Sequence, residues 1–101
     1  MSANLDHETF SKHLDSNFRV EAGEAGTVSL KLSKISDLQL SPRQERFAIN
    51  FTGPLDAKLP QGSYDFEHDE MGKFLLFIVP LIGDEEGMVY EAVFNRLRKA
   101  D

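Results

Sequence analysis

The 101 residues contain no cysteine. Disulfides, thiolate metal centres and cysteine nucleophiles are therefore excluded, and cysteine usage says nothing about compartment. No uncharged stretch approaches the ~18 residues that a membrane-spanning helix needs, so no membrane is expected as a partner. The N-terminal MSANLDHETF lacks the basic region and apolar segment of a secretion signal. The expectation is a soluble, cytoplasmic protein. A Gly-rich phosphate loop, a G-x-S-x-G elbow and H-E-x-x-H are also missing, so no cofactor and no catalytic residue is assigned.

Positive charge is in short supply. Eleven Lys and Arg face seventeen Asp and Glu, for a formal net charge of −6. The excess is local. Residues 65–86 hold Asp65, Glu67, Asp69, Glu70, Asp84, Glu85 and Glu86 against Lys73 alone, while the ten acids and ten bases elsewhere cancel. An acidic side of this kind repels phosphate backbones, which argues against nucleic acid as a partner. The one basic run, Arg96, Arg98 and Lys99, is too short for a nucleic-acid surface and reads as a solvated end.

What is present is an alternating pattern built around residues 46–68. Phe47, Ile49 and Phe51 alternate with Ala48, Asn50 and Thr52, which places three large apolar side chains on one face of a strand. Gly53-Pro54 breaks that pattern. Pro60-Gln61-Gly62 breaks it again, in a way that suits a type II turn or a looser loop. Tyr64, Phe66 and His68 then alternate with Asp65, Glu67 and Asp69. The connection between the two strands is too long for a tight hairpin, and Leu55 and Leu59 within it are expected to plug one end of the core.

The rest of the chain follows the same logic. Residues 4–14 read as one short helix, capped by Asp6, with Phe10 and Leu14 on one face and Leu5 stapling it from outside. His7 and His13 lie on nearly opposite sides of that helix and read as surface histidines. Strands follow at 17–22 and from 27 onward, with Val28, Leu30 and Leu32 inward and a phase shift that calls for a bulge near Lys34. Residues 74–79 are apolar at every position, as in a strand covered on both faces. One face meets the core; the other must meet the N-terminal helix or another protein chain. The last strand, 88–97, shows a second partly apolar face through Val89 and Val93. No helix stands between strands, so no parallel unit is expected. The expected architecture is mainly β: one domain over 1–101, a small antiparallel β-barrel or closed meander of about six strands over 17–97, one short N-terminal helix and a polar tail at 98–101.

Several pieces of the chain stand in a recognisable order: F-x-I-x-F-x-G-P-L (47–55), L-P-Q-G-x-Y (59–64), Glu67-His68, F-x-V-P (77–80) and Y-E-A-V-F-N (90–95), with looser matches at F-S-K-H-L and N-F-R-V. In these the chain resembles a small bacterial domain family described as a domain of unknown function, over most of its length. The resemblance implies a one-domain bacterial protein. Domains of this family are in turn similar to small proteins found beside phage-tail-like components, so the resemblance implies an interaction role.

The chemistry the sequence offers is sparse. Asp65, Glu67 and Asp69 share a strand face about 7 Å apart, a stripe that could hold calcium on the surface. The EF-hand pattern fails, because Glu70 stands where the loop needs Gly and Leu76 where it needs an acid. Glu67 and His68 are strand neighbours, so they point to opposite faces and cannot cooperate directly. Glu91 could pair across strands with Arg46 or Arg19, and Gln61 and Asn95 could hold the long connection. Two functions are thus expected in competition. The first is a non-catalytic interaction or structural module that self-associates or docks on a protein partner through Phe74, Leu75, Phe77, Val79, Val89 and Val93. The second is a small-ligand binder or enzyme using a barrel mouth near Tyr64, His68 and Tyr90.

Overall fold

A computed structural model describes residues 5–81, 83 and 87–97. The elements run α1 (His7–Lys12), β1 (Asn17–Glu21), a single 3-10 turn (Gly23–Ala25), β2 (Thr27–Ile35), β3 (Gln39–Leu40), β4 (Gln44–Gly53), β5 (Gly62–His68), β6 (Gly72–Pro80) and β7 (Met88–Leu97). The expected tail at 98–101 and most of the acidic loop before Gly87 lie outside the described residues.

Six strands close into an antiparallel barrel in the order β1-β2-β4-β7-β6-β5 and back to β1. β3 is a two-residue addition that pairs with the first residues of β4. The alternation that marks each strand is the reason for closure. Phe18 and Val20, then Val28, Leu30 and Leu32, then Phe47, Ile49 and Phe51 are all buried, and each belongs to a strand whose intervening residues face outward. One apolar face per strand, wrapped on itself, buries the core and leaves few free edges. The bulge lies where the phase shift places it: the β2–β4 register slips between Leu32 and Lys34.

The barrel is not a simple meander. β1-β2-β4 run in sequence and so do β5-β6-β7, but β7 returns to β4 and β5 to β1. β4 therefore ends at one mouth of the barrel, and the chain must cross that mouth to begin β5. That geometry accounts for the long connection. Leu59 turns in and is buried, whereas Leu55 stays exposed, so one of the two expected plugs is wrong. The hydrogen-bonded turn lies at Pro54–Ala57, where Ala57 N–H reaches Pro54 O at 3.4 Å; Pro60 and Gln61 take the looser of the two expected forms, a bend at Gln61, and Gly62 already opens β5. Gly53 at the end of β4 leaves room for the core: a Cβ there would stand 2.4 Å from Leu30 Cδ2.

The opposite mouth is closed by α1. This helix is shorter than expected, six residues instead of eleven, since the chain turns at His13. Asp6 caps it as expected, accepting from Thr9 N–H at 2.8 Å. The Thr9 hydrogen bonds hold the Asp6 carboxyl below the usual range, with help from the Arg96 charge. Phe10 is 0% exposed and its ring lies 5.5–6.5 Å from those of Phe18, Phe47, Phe74 and Phe94. Leu5 packs against the same cluster. Leu14 falls beyond the helix and is exposed, so Phe10 and Leu14 do not share a covered face. Asp15, at φ 71°, swings the chain into β1, and Asp15 N–H to Leu32 O at 2.8 Å seals the junction.

Candidate functional site

The helix sits under the barrel and leaves its wall bare. This decides the fate of the apolar run on β6. Phe74, Leu76 and Ile78 point inward, and Phe74 stacks on Phe66 at 5.7 Å while meeting Phe10 edge-on. Phe74 is half-buried and packs against the core, so it does not share the outward face with Leu75 and Phe77, contrary to the expectation. Leu75 and Phe77 point outward and are 62% and 51% exposed. Val79 is half-buried on the same face. On β7, Val93 is 51% exposed and Val89 half-buried. No element of the chain covers this wall among the described residues.

The two strands that carry the patch barely pair. Their ladder consists of Val79↔Glu91 and Pro80↔Tyr90, continued toward the mouth by Leu81 N–H to Val89 O at 2.7 Å. On its other side β6 makes seven pairs with β5, and β7 makes ten with β4. The result is a seam: below Val79 the ladder between the two strands stops, with the Phe10, Phe74 and Phe94 rings behind it. The β1–β5 join is equally brief, Arg19↔Glu67 and Val20↔Phe66. The β5–β6 hairpin is thus hung between two short ladders.

His68 lies at the helix end of β5, buried to 6% exposure. Its Nδ1 accepts from Glu70 N–H at 3.1 Å and Met71 N–H at 3.2 Å. A nitrogen that accepts twice carries no proton, so in the neutral ring the proton sits on Nε2, 3.0 Å from Ser16 Oγ. Ser16 in turn donates to the carbonyl of His13. Because Nε2 donates to Ser16, it cannot take that hydroxyl's proton. A His–Ser pair that could pass for a catalytic dyad is a structural clasp on the Glu70–Met71 turn. Burial lowers the His68 pKa, reinforced by His13, whose ring lies 4.6 Å away.

His13 is therefore no plain surface histidine; its ring meets that of His68 at a tilt, with Nδ1 3.4 Å from Glu70 Oε2. Nothing local in the sequence joins residues so far apart. His7 is engaged as well, with Nε2 2.8 Å from Ser36 O and its ring edge-on to Phe47. His13, Ser16, His68 and Glu70 border an open cleft of about 570 Å³.

Tyr64 and Tyr90 stand at the other mouth. Tyr90 is buried and its hydroxyl accepts from Leu59 N–H at 2.9 Å. The Tyr64 hydroxyl donates to Pro60 O at 2.6 Å. Both hold the crossing segment, the task expected of Gln61 and Asn95. Asn95 pairs with Arg46 at the helix end and is far from that segment. Since four residues of strand separate Tyr64 from His68, about 13 Å, the three side chains do not converge on one mouth. Tyr90→Phe should cost about 1–3 kcal/mol, because Leu59 N–H would be left buried without an acceptor. Urea unfolding measures the loss, and faster amide exchange at Leu59 would locate it.

The carboxylate stripe meets a cation already. Arg19 Nε lies 3.3 Å from Glu67 Oε1, and its NH1 lies 2.9 Å from Asp69 Oδ1. These contacts, Asp69 foremost, raise the Arg19 pKa. The guanidinium thus occupies the place between Glu67 and Asp69 where calcium would bind. Asp65 borders a neighbouring groove with Glu21 and Lys73. With Arg19 so engaged, it is not the partner of Glu91; the described pair for β7 is Arg96 with Glu45, 3.8 Å apart.

Residues 5–94 match the model of a family described as "Domain of unknown function (DUF6916)". No curated protein and no solved structure matches the chain.

Proposed function

The chain belongs to the DUF6916 family of domains of unknown function, and we propose that it serves as a non-catalytic protein-interaction or structural module of a bacterial assembly, docking through the outer wall of β6 and β7. The observation that carries this reading is the exposure of Leu75, Phe77 and Val93 together on a wall that α1 leaves uncovered. Soluble proteins rarely present a neighbouring set of large apolar side chains without an occupant. The engagement of both His68 nitrogens supports the non-catalytic half of the reading. The placement of Tyr64 and Tyr90 at the far mouth lends no support to a shared ligand site with His68. We place the protein in the cytoplasm, and the resemblance to small proteins beside phage-tail-like components suggests the type of assembly.

The test is a pull-down of the tagged chain from a lysate of its source, read by mass spectrometry, beside light scattering of the pure protein. Phe77→Asp is the control. Phe77 is half-exposed, so the fold should survive with a stability change near ±0.5 kcal/mol. Retained proteins, or a dimer, that disappear with Phe77→Asp are the expected result. A monomer that retains the same proteins with and without Phe77 would end the proposal.

A further inference from the structure

We infer that the seam between β6 and β7 receives an extended segment of a partner chain, alternately apolar and basic, which adds as a strand along β6. This rests on the docking reading above and names its occupant. The first support is the backbone. Below Val79↔Glu91, the residues of β6 have strand partners only in β5 and those of β7 only in β4, among the described residues. A strand edge with one free side is a template for another strand. The rings of Phe10, Phe74 and Phe94 fill the space behind, so an added strand would lie in the wall and leave the core intact.

The second support is the side-chain period. Leu75 and Phe77 are two residues apart and both exposed, so a strand paired with β6 sets its own alternate side chains beside them. The third is charge. Asp65 stands across from Leu75 and Glu91 across from Val79, while the nearby cations already face acids, Arg19 held by Glu67 and Asp69 and Lys73 standing opposite Glu67. A second copy would bring a net charge of −6 and the same acidic rim against this one. A segment with Lys or Arg between its apolar residues meets the rim with opposite charge. Charge therefore favours a partner segment over a second copy.

The experiment is an amide chemical-shift titration of the whole chain with three short synthetic peptides: alternating Lys and Val, alternating Glu and Val, and the Lys–Val peptide N-methylated at every second residue. The expected result is saturable binding of the Lys–Val peptide alone, with shifts concentrated in β6 and the second half of β7. Phe77→Ser, checked by its own spectrum for an intact fold, should weaken that binding at least about tenfold, and added salt should weaken it further. Equal binding of the Glu–Val peptide would overturn the charge argument, and equal binding of the N-methylated peptide would overturn the added strand. The absence of shifts at β6 would overturn the inference as a whole. If no peptide binds but the protein dimerises and Phe77→Asp returns it to monomer, the docking face stands and the added strand falls. If no peptide binds, and the protein neither dimerises nor retains proteins that Phe77→Asp loses, both fall.

Discussion

Phe10→Ala is expected to destabilise the protein by about 3–5 kcal/mol, the largest loss from any single truncation considered. Phe10 is 0% exposed and touches rings from β1, β4, β6 and β7 at once. It is the one large side chain that α1 sends into the barrel, and α1 itself is too short to be stable without it. Truncation removes the apolar contact and leaves a cavity at a mouth whose walls are fixed by strand ladders, so little collapse is available to soften the cost. Against the 5–15 kcal/mol of a typical domain, the variant should unfold at a much lower urea midpoint. Phe10→Leu should cost less than about 2 kcal/mol, since volume is largely kept. Leu14→Ala should stay within about 0.5 kcal/mol, because Leu14 is exposed beyond the helix end. A Phe10→Ala loss as small as that of Leu14→Ala would mean that α1 is a loose appendage and that the barrel mouth closes without it.

The contrast between Phe10 and Leu14 also shows where sequence reading stops. Spacing of four put both on one helical face, but a helix of six residues ends before Leu14 is reached. The strands were legible because period two is enforced by burial: Val28, Leu30 and Leu32, and Phe47, Ile49 and Phe51, are inward as the alternation requires. Even the slip at Lys34 left a mark in the pattern. The run on β6 was legible as two-sided, yet its period cannot say what lies against the second face. The inward set, Phe74, Leu76 and Ile78, and the outward set, Leu75, Phe77 and Val79, read alike in the sequence. Strand order was not legible either. The β4–β7 ladder has ten pairs, but no turn signal joins strands that lie so far apart along the chain. The same holds for the clasp under the barrel. Ser16 and His13 meet His68 only because β1 and β5 pair through Arg19↔Glu67 and Val20↔Phe66.

That clasp leads to the second large effect. His68→Leu is expected to cost about 1–3 kcal/mol: the shape of the site is roughly kept, but the buried Met71 N–H and the part-buried Glu70 N–H lose their acceptor. His68→Gln should retain part of the stability, since a side-chain carbonyl can accept from the turn, and it removes the titration. The pH dependence gives a separate reading. Burial lowers the His68 pKa in the fold, so the unfolded chain takes up a proton at higher pH than the folded one does. Stability from this group is therefore complete above about pH 6.5, the ordinary histidine value, and declines as pH falls toward the folded pKa. The decline is bounded at about 1.4 kcal/mol per pH unit. Urea midpoints at about pH 7.5 and about pH 5.5 should fall further for the wild type than for His68→Gln, while His7, His13 and the carboxylates are common to both. Protonation at Nδ1 would also turn an N–H toward two others, so the turn at Glu70–Met71 should show the earliest loss of amide protection on acidification. An equal pH response in the two proteins would mean that His68 is free to protonate in the fold. In that case Nδ1 is not held by the turn, and Nε2 becomes available to accept a proton from Ser16.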